Sequence, residues 1–274
     1  MIAVIAMMLL PVSAPPGAPV SAPPGAQIIM GSQTAYFWVV PAIDSLALPD
    51  YGNNGYRQKV EKHNTMTLRI EVNVGNRQLG SKMRGRRVTL PKPLVELEGL
   101  LNERIDGPFA DQVALLMSWL RTELTYRGEV RQAQDVVSVL KRGSADCVGM
   151  SNVAQLVLAA MDVKSRYVTG IAFKPDDKNR RVLEGEVLHR WIEIQYEDVG
   201  WVFSDPAGKV NFVDATYIVL GIQGLHQIPS VLEDAVGTRV ELLKLSNRMG
   251  RVGTQNGLDP RLRVRPNRLF VQPK

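Results

Sequence analysis

Three residues have the types and order needed for nucleophilic chemistry: Cys147, His189 and Asp205. A thiol becomes a strong nucleophile when a base takes its proton, and the base needs a third group to orient its ring. Cys147 stands where a loop becomes a helix. The free amides and dipole of a helix N-terminus favour a thiolate there, and Asp146 beside it works slightly the other way. His189 lies in the segment E-V-L-H-R-W-I-E-I-Q-Y. Strand alternation puts His189, Trp191 and Glu193 on one face and Ile192, Ile194 and Tyr196 on the other. Asp205 closes the next segment, W-V-F-S-D-P, which Pro206 stops. Taken singly, each has an ordinary explanation: an inert core thiol, a packed strand histidine, an Asp-Pro turn. Together they supply a nucleophile, a base and an orienting carboxylate from rigid elements.

The elements that must position them are readable from hydrophobic spacing. Pro108 to Tyr126 predicts a helix, with Val113, Leu116, Met117, Leu120 and Leu124 at helical intervals and Pro108 in a first turn. A shorter helix is predicted from Gln134 to Leu140, broken by Gly143. Cys147 to Met161 predicts a third, with Val153, Leu156, Val157 and Ala160 on its apolar face. Three strands follow, at Arg166–Phe173, Leu183–Tyr196 and Trp201–Ser204. The connection at 197–200 reverses the chain and returns Asp205 toward His189. Helices followed by a run of strands predict an α+β fold, an antiparallel sheet packed on the Cys-bearing helix. Upstream, Met66, Leu68, Ile70, Val72 and Val74 alternate as a strand, and a second strand is expected at Val88–Leu90, making a small β module ahead of the core. Lys82, Arg84, Arg86 and Arg87 between them read as solvated charge. Tyr217–Leu220 is a further candidate strand.

On these residues the chain resembles the transglutaminase-like superfamily, in particular its bacterial exported members. The pattern is a helix ending in W-x-x-x-x-x-x-Y, here Trp119 to Tyr126. A Gly shortly before the Cys is met by Gly143 and Cys147, with Gly149 and a small-residue helix behind. H-x-W-x-E follows at His189 to Glu193, and W-x-x-x-D-P at Trp201 to Pro206. The resemblance spans about residues 105–210. It implies a papain-like fold with Cys147 as nucleophile, His189 as general base and then acid, Asp205 as the orienting group, and the Cys147 amide as one oxyanion donor. The implied activity is thiol-dependent acyl transfer on protein or peptide amides: hydrolysis as a cysteine protease or peptidase, deamidation, or transamidation as an acyltransferase. The competing reading is a non-catalytic peptide-binding module of the cell envelope, which retention of all three residue types disfavours. No cofactor is expected, and calcium dependence is left open because no ligand cluster is recognisable.

Composition sets the remaining limits. The 274 residues are 45% hydrophobic with a formal charge of +6, enough for a large core. No aromatic-basic motif accompanies the charge, so nucleic acid is not an expected partner. With one cysteine there is no intramolecular disulfide. The segments divide as 1–26, a signal peptide and Pro/Ala-rich linker; 27–100, a β-rich region; 101–225, the catalytic core; and 226–274, a basic extension. From Arg248 to Lys274 there are seven basic residues and one acidic residue, which suits a terminal arm or an envelope-surface contact. P-V-S-A-P-P-G-A occurs twice, at 11–18 and 19–26, with the composition of a flexible linker. Ile2 to Leu10 is apolar but too short for a membrane span, and Val12-Ser13-Ala14 fits a cleavage site. No basic residue precedes Arg57 to form an n-region, and no Cys follows the apolar run to carry a lipid.

The expected location is therefore outside the cytoplasm, periplasmic or secreted. Mass spectrometry of the mature protein is expected to find its N-terminus between about Pro15 and Gln27. A cytosolic chain that starts at Met1 would overturn the export reading.

Overall fold

Period-two burial marks the first strand of the computed structural model: Gln33, Ala35 and Phe37 are buried while Thr34, Tyr36 and Trp38 between them are half-exposed. The structure describes residues 28–40, 48–62, 66–78, 83–128, 132–172, 182–183, 188–225 and 239–247. The duplicated octapeptide, the basic terminal arm and Lys82 lie outside these residues.

The strands β1 (Ile28–Val40), β2 (Tyr51–Asn53), β3 (Tyr56–Lys62) and β4 (Met66–Gln78) open the fold. The helices α1 (Val95–Asn102) and α2 (Phe109–Glu123) follow. Next come β5 (Thr125–Tyr126), α3 (Val136–Arg142), β6 (Ser144–Ala145) and α4 (Cys147–Ala160). The strands β7 (Ser165–Ala172), β8 (Val182–Leu183), β9 (Leu188–Tyr196), β10 (Gly200–Ser204), β11 (Tyr217–Ile222) and β12 (Arg239–Asn247) complete it. One antiparallel sheet runs β2-β3-β4-β1-β12-β8 and a second runs β10-β9-β7-β11. The α4 helix packs on β9 and β7 of the second sheet, the α+β arrangement of helix on antiparallel sheet. Its Met150, Val153, Ala154 and Val157 are fully buried, as are Ile192 and Ile194 of that sheet. In the first sheet β12, from the segment read as a basic extension, pairs with β1 from the opposite end of the chain, Trp38 facing Glu241.

Three expected elements take another form. The strand expected over Leu183–Tyr196 is divided, Val182–Leu183 pairing with β12 in the first sheet and Leu188–Tyr196 lying in the second. Val88–Leu90 forms no strand and joins no sheet. Its backbone is held by side chains of the helices: Val88 N–H donates to Asn102 Oδ1 and Val88 O accepts from Asn102 Nδ2, both at 2.9 Å. Two residues earlier Arg86 N–H donates to Gln112 Oε1 at 2.7 Å and Arg86 O accepts from Gln112 Nε2 at 2.8 Å. The helix expected to reach Tyr126 ends at Glu123. Thr125 and Tyr126 instead pair in parallel with Ser144 and Ala145, with Thr125 N–H donating to Gly143 O and Arg127 N–H to Ala145 O at 2.9 Å each.

Gln112 is wholly buried and also donates to Leu101 O at 2.8 Å. Gln112→Leu keeps the volume but orphans the buried backbone groups of Arg86 and Leu101. It is expected to cost about 2–4 kcal/mol in the urea-unfolding free energy. An unchanged midpoint would show that water replaces the amide.

Candidate active site

The start of α4 is built by its cap. Asp146 accepts from Val148 N–H at 2.8 Å and Gly149 N–H at 3.0 Å, so two of the orphan amides of the first turn are satisfied by its carboxylate. Cys147 sits at the first helical position, half-exposed, where its own N–H has no intrahelical acceptor. Gln134 braces this turn from outside: its Oε1 accepts from Asp146 N–H at 3.2 Å and its backbone oxygen accepts from Asn152 Nδ2 at 2.7 Å. Gly149 permits the approach. A Cβ there would lie 2.3 Å from Gln134 Oε1 and 2.9 Å from Ala145 Cβ.

The second sheet brings the base. β9 and β10 pair with Tyr196 opposite Gly200 and Ile192 opposite Ser204, so the register carried one step further sets Asp205 beside Trp191. His189 Nε2 lies 2.8 Å from Asp205 Oδ2. The chain turns tightly after Asp205: Asp205 N–H donates to Lys209 O at 2.7 Å and Gly208 N–H to Asp205 O at 2.9 Å. Ala207 N–H holds Asp205 Oδ1 at 2.9 Å. Gly208 lies against the carboxylate, where an added Cβ would stand 2.6 Å from Oδ2. With Nε2 directed to Asp205, Nδ1 is the ring nitrogen left for the thiol, and His189 is within hydrogen-bonding reach of Cys147. The structure thus brings all three sequence-predicted residues together, across α4, β9 and the end of β10.

The electrostatics follow from burial and these contacts. Burial would lower the His189 pKa from 6.5, but Asp205 and then Cys147 outweigh it and push it up to about 10. Burial would raise the Asp205 carboxyl, and the His189 charge, the His189 and Tyr217 hydrogen bonds and the Ala207 amide bring it below its ordinary value. Arg121 of α2 is a further cation near Asp205, donating to Gly208 O. Burial lowers its pKa, and Asp205 acts in the opposite sense.

Three residues of this environment were not singled out as functional in the sequence: Tyr126, Tyr217 and Arg121. The Tyr126 hydroxyl reaches the Cys147 thiol. Burial first, then the Cys147, Asp205 and Asp146 charges, hold its phenol above the ordinary range, so it stays a donor. The signal for it was the closing Tyr of W-x-x-x-x-x-x-Y. Tyr217 donates to Asp205 Oδ2 at 2.8 Å, and no local pattern pointed to it. Glu193, on the His189 face of β9, is committed elsewhere. It is fully buried and accepts from Arg166 Nε at 2.7 Å, from Asn53 Nδ2 at 2.7 Å and from Tyr51 OH. Trp191 is buried in the hairpin, and Trp201 lies under the Arg166 guanidinium at 3.9 Å. Among the described residues no group of three or more His, Cys, Asp or Glu side chains is placed to share a metal ion, and no helix is long and apolar enough to cross a membrane.

Residues 101–206 match the family model of the Transglutaminase-like superfamily. Among solved structures, the chain is similar to a candidate cysteine protease from Cytophaga hutchinsonii, at 11% identity over 81% of this chain and 86% of that one, with a TM-score of 0.37. It is similar to the periplasmic domain of TgpA from Pseudomonas aeruginosa bound to ethylmercury, at 14% identity over 67% and 91%, with a TM-score of 0.35. It is also similar to red sea bream transglutaminase, at 11% identity over 65% and 46%, with a TM-score of 0.32. No curated protein sequence matches the chain.

A histidine whose folded pKa is raised from 6.5 to about 10 binds more protons in the native than in the unfolded state between those values. Its stabilising contribution is therefore complete below pH 6.5 and is lost as pH rises through about 10, with a slope of at most about 1.4 kcal/mol per pH unit. Urea unfolding across this window is expected to show the decline in the wild type and a flatter curve in His189→Ala. Parallel curves would remove the charge pair.

Proposed function

Taking residues 101–206 as a transglutaminase-like core, we propose that the protein is a thiol-dependent acyltransferase acting on amides of proteins or peptides, through Cys147, His189 and Asp205. The observation that carries this is the chain of contacts from a helix-start thiol to a ring nitrogen and from the other ring nitrogen to a buried carboxylate, His189 Nε2 to Asp205 Oδ2 at 2.8 Å.

The His189 imidazolium, favoured by Asp205, pairs with the thiolate formed when the Cys147 proton passes to the ring. The sulfur attacks the carbonyl carbon of a bound amide, and the π electrons move onto its oxygen. The Cys147 N–H and the Tyr126 O–H are the donors available to that oxyanion. Collapse breaks the C–N bond, and the His189 Nδ1 proton goes to the departing amine, leaving a thioester and a neutral imidazole. Water or a second amine then gives its proton to the imidazole as it attacks the thioester. The C–S bond breaks, and the thiolate–imidazolium pair is restored. Asp205 takes no proton in this cycle. It holds the ring and favours the imidazolium. Water as acceptor makes the protein a protease, peptidase or deamidase, and a lysine amine makes it a transglutaminase. Cys147 is half-exposed, as a residue that must meet a substrate chain requires.

The test needs no substrate. At about pH 6, iodoacetamide is expected to modify Cys147 in the folded protein at least about tenfold faster than a free model thiol, and His189→Ala is expected to remove most of the excess. One cysteine means that all label reports on one residue. A native rate equal to that of the model thiol and indifferent to His189 would sink the catalytic reading.

A further inference from the structure

We propose that the Tyr217 hydroxyl is a positioning group for the Cys147–His189–Asp205 triad and that the β2–β3 hairpin holds it in place, so that the working site extends beyond residues 101–206. The inference rests on the triad reading above. His189 Nε2 and the Tyr217 hydroxyl meet on the same carboxylate oxygen, each 2.8 Å from Asp205 Oδ2, while Ala207 N–H fixes Oδ1 at 2.9 Å. A carboxylate engaged on both oxygens cannot turn about its terminal bond without losing a hydrogen bond. The Tyr217 ring packs edge-on to Trp191 at 5.3 Å and to His189 at 6.0 Å. A phenylalanine would fill that space equally well. The hydroxyl, buried beside a buried carboxylate, adds one thing packing does not require: a neutral donor to Oδ2.

The backbone behind this hydroxyl is held from β3. Tyr217 O accepts from Tyr56 OH at 2.7 Å. Two residues further along β11, Val219 N–H donates to Gln58 Oε1 and Val219 O accepts from Gln58 Nε2, both at 2.8 Å. Tyr56 and Gln58 are themselves two residues apart, so their spacing on β3 matches the period of β11. Both are buried, and the Tyr56 ring lies edge-on to Phe203 of β10 at 5.1 Å. The hairpin therefore fixes the start of β11, and with it the angle at which the Tyr217 hydroxyl meets Asp205.

A donor on Oδ2 weakens that oxygen as an acceptor for the imidazolium. Without it, Asp205 holds the His189 proton more strongly. The opposite holds when the Asp205 charge is removed. The two changes must therefore move the titration of His189 in opposite directions, which loss of packing does not do.

The experiment is the pH–rate profile of Cys147 alkylation by iodoacetamide in the full chain, with a thermal melt for each variant. Tyr217→Phe is expected to melt with the wild type and to move the upper inflection, where His189 loses its proton, to higher pH by on the order of 0.5 unit. Asp205→Asn is expected to move it to lower pH. Tyr56→Phe, which removes the hydroxyl that bonds the Tyr217 carbonyl and also contacts Gln58 Oε1 at 2.9 Å, is expected to follow Tyr217→Phe by a smaller amount, and it carries the test should Tyr217→Phe not fold. If His189→Ala and Asp205→Asn change the profile while both Phe variants leave it in place or move it down, the positioning role is overturned and the triad stands. If His189→Ala itself changes nothing, the triad reading falls, and this inference falls with it.

Discussion

The contact on which the site depends is the hydrogen bond between His189 and Asp205. A carboxylate that is nearly all buried is costly in the absence of partners, and Asp205 has an imidazole, a phenol and a backbone amide around it. Those partners come from β9, from the start of β11 and from the turn at residue 207. The positions of two strands and a turn are thus fixed by one side chain. Arg121 adds α2 to the set, since its guanidinium is anchored on the Gly208 carbonyl beside the same acid. The thiol is placed independently, by the Asp146 cap and the Gln134 brace. The two halves meet at the imidazole and along the packing of α4 on β7 and β9, where the Tyr167 hydroxyl donates to Asn152 Oδ1 at 2.7 Å, so that packing sets the distance from the thiol to the ring.

The upstream strands are built into the core rather than appended to it. Tyr51 and Asn53 of β2 close the buried Arg166–Glu193 pair, and a pair lacking such neighbours would leave carboxylate oxygens unsatisfied in a dry place. Asn54 N–H donates to Trp201 O on β10 at 3.0 Å. The sheet carrying this hairpin also holds β12, so both ends of the described chain contribute to one structure around residues 101–206.

Much of this arrangement was legible in the sequence, for a physical reason. α4, β9 and β10 carry strong hydrophobic periodicity, and a four-residue reversal between two strands leaves little freedom in where their ends meet. That is why Asp205 could be set beside His189 from spacing, while Cys147 joined them through the resemblance of the motifs. Tyr217 could not. It reaches Asp205 across an irregular stretch with no periodicity, and its neighbour Tyr56 lies 161 residues away. The pairing of Trp38 with Glu241 is a contact of the same kind, decided by which surfaces remain to be covered once the local elements have formed. Val88–Leu90 shows the converse limit. Its residues are β-prone, but the side chains of Asn102 and Glu98 take the place of a neighbouring strand, and propensity does not reveal whether the partner is backbone or side chain.

The two outer strands of the second sheet, β10 and β11, are both engaged by the β2–β3 hairpin, one through Asn54 and the other through Gln58. An outer strand with vacant amides and carbonyls is a template on which another chain can add itself. At Trp201 and Val219 that template is already used by polar atoms of the same molecule, in the manner of a stopper rather than a further strand. An incoming polypeptide therefore gains no ladder at these positions. On the acyl-transfer reading, recognition at these positions falls to the side chains of the substrate and to the amide presented to the sulfur. The same stoppers guard against sheet-to-sheet association of one copy with the next, a protection that a fragment cut down to the core segment would lose.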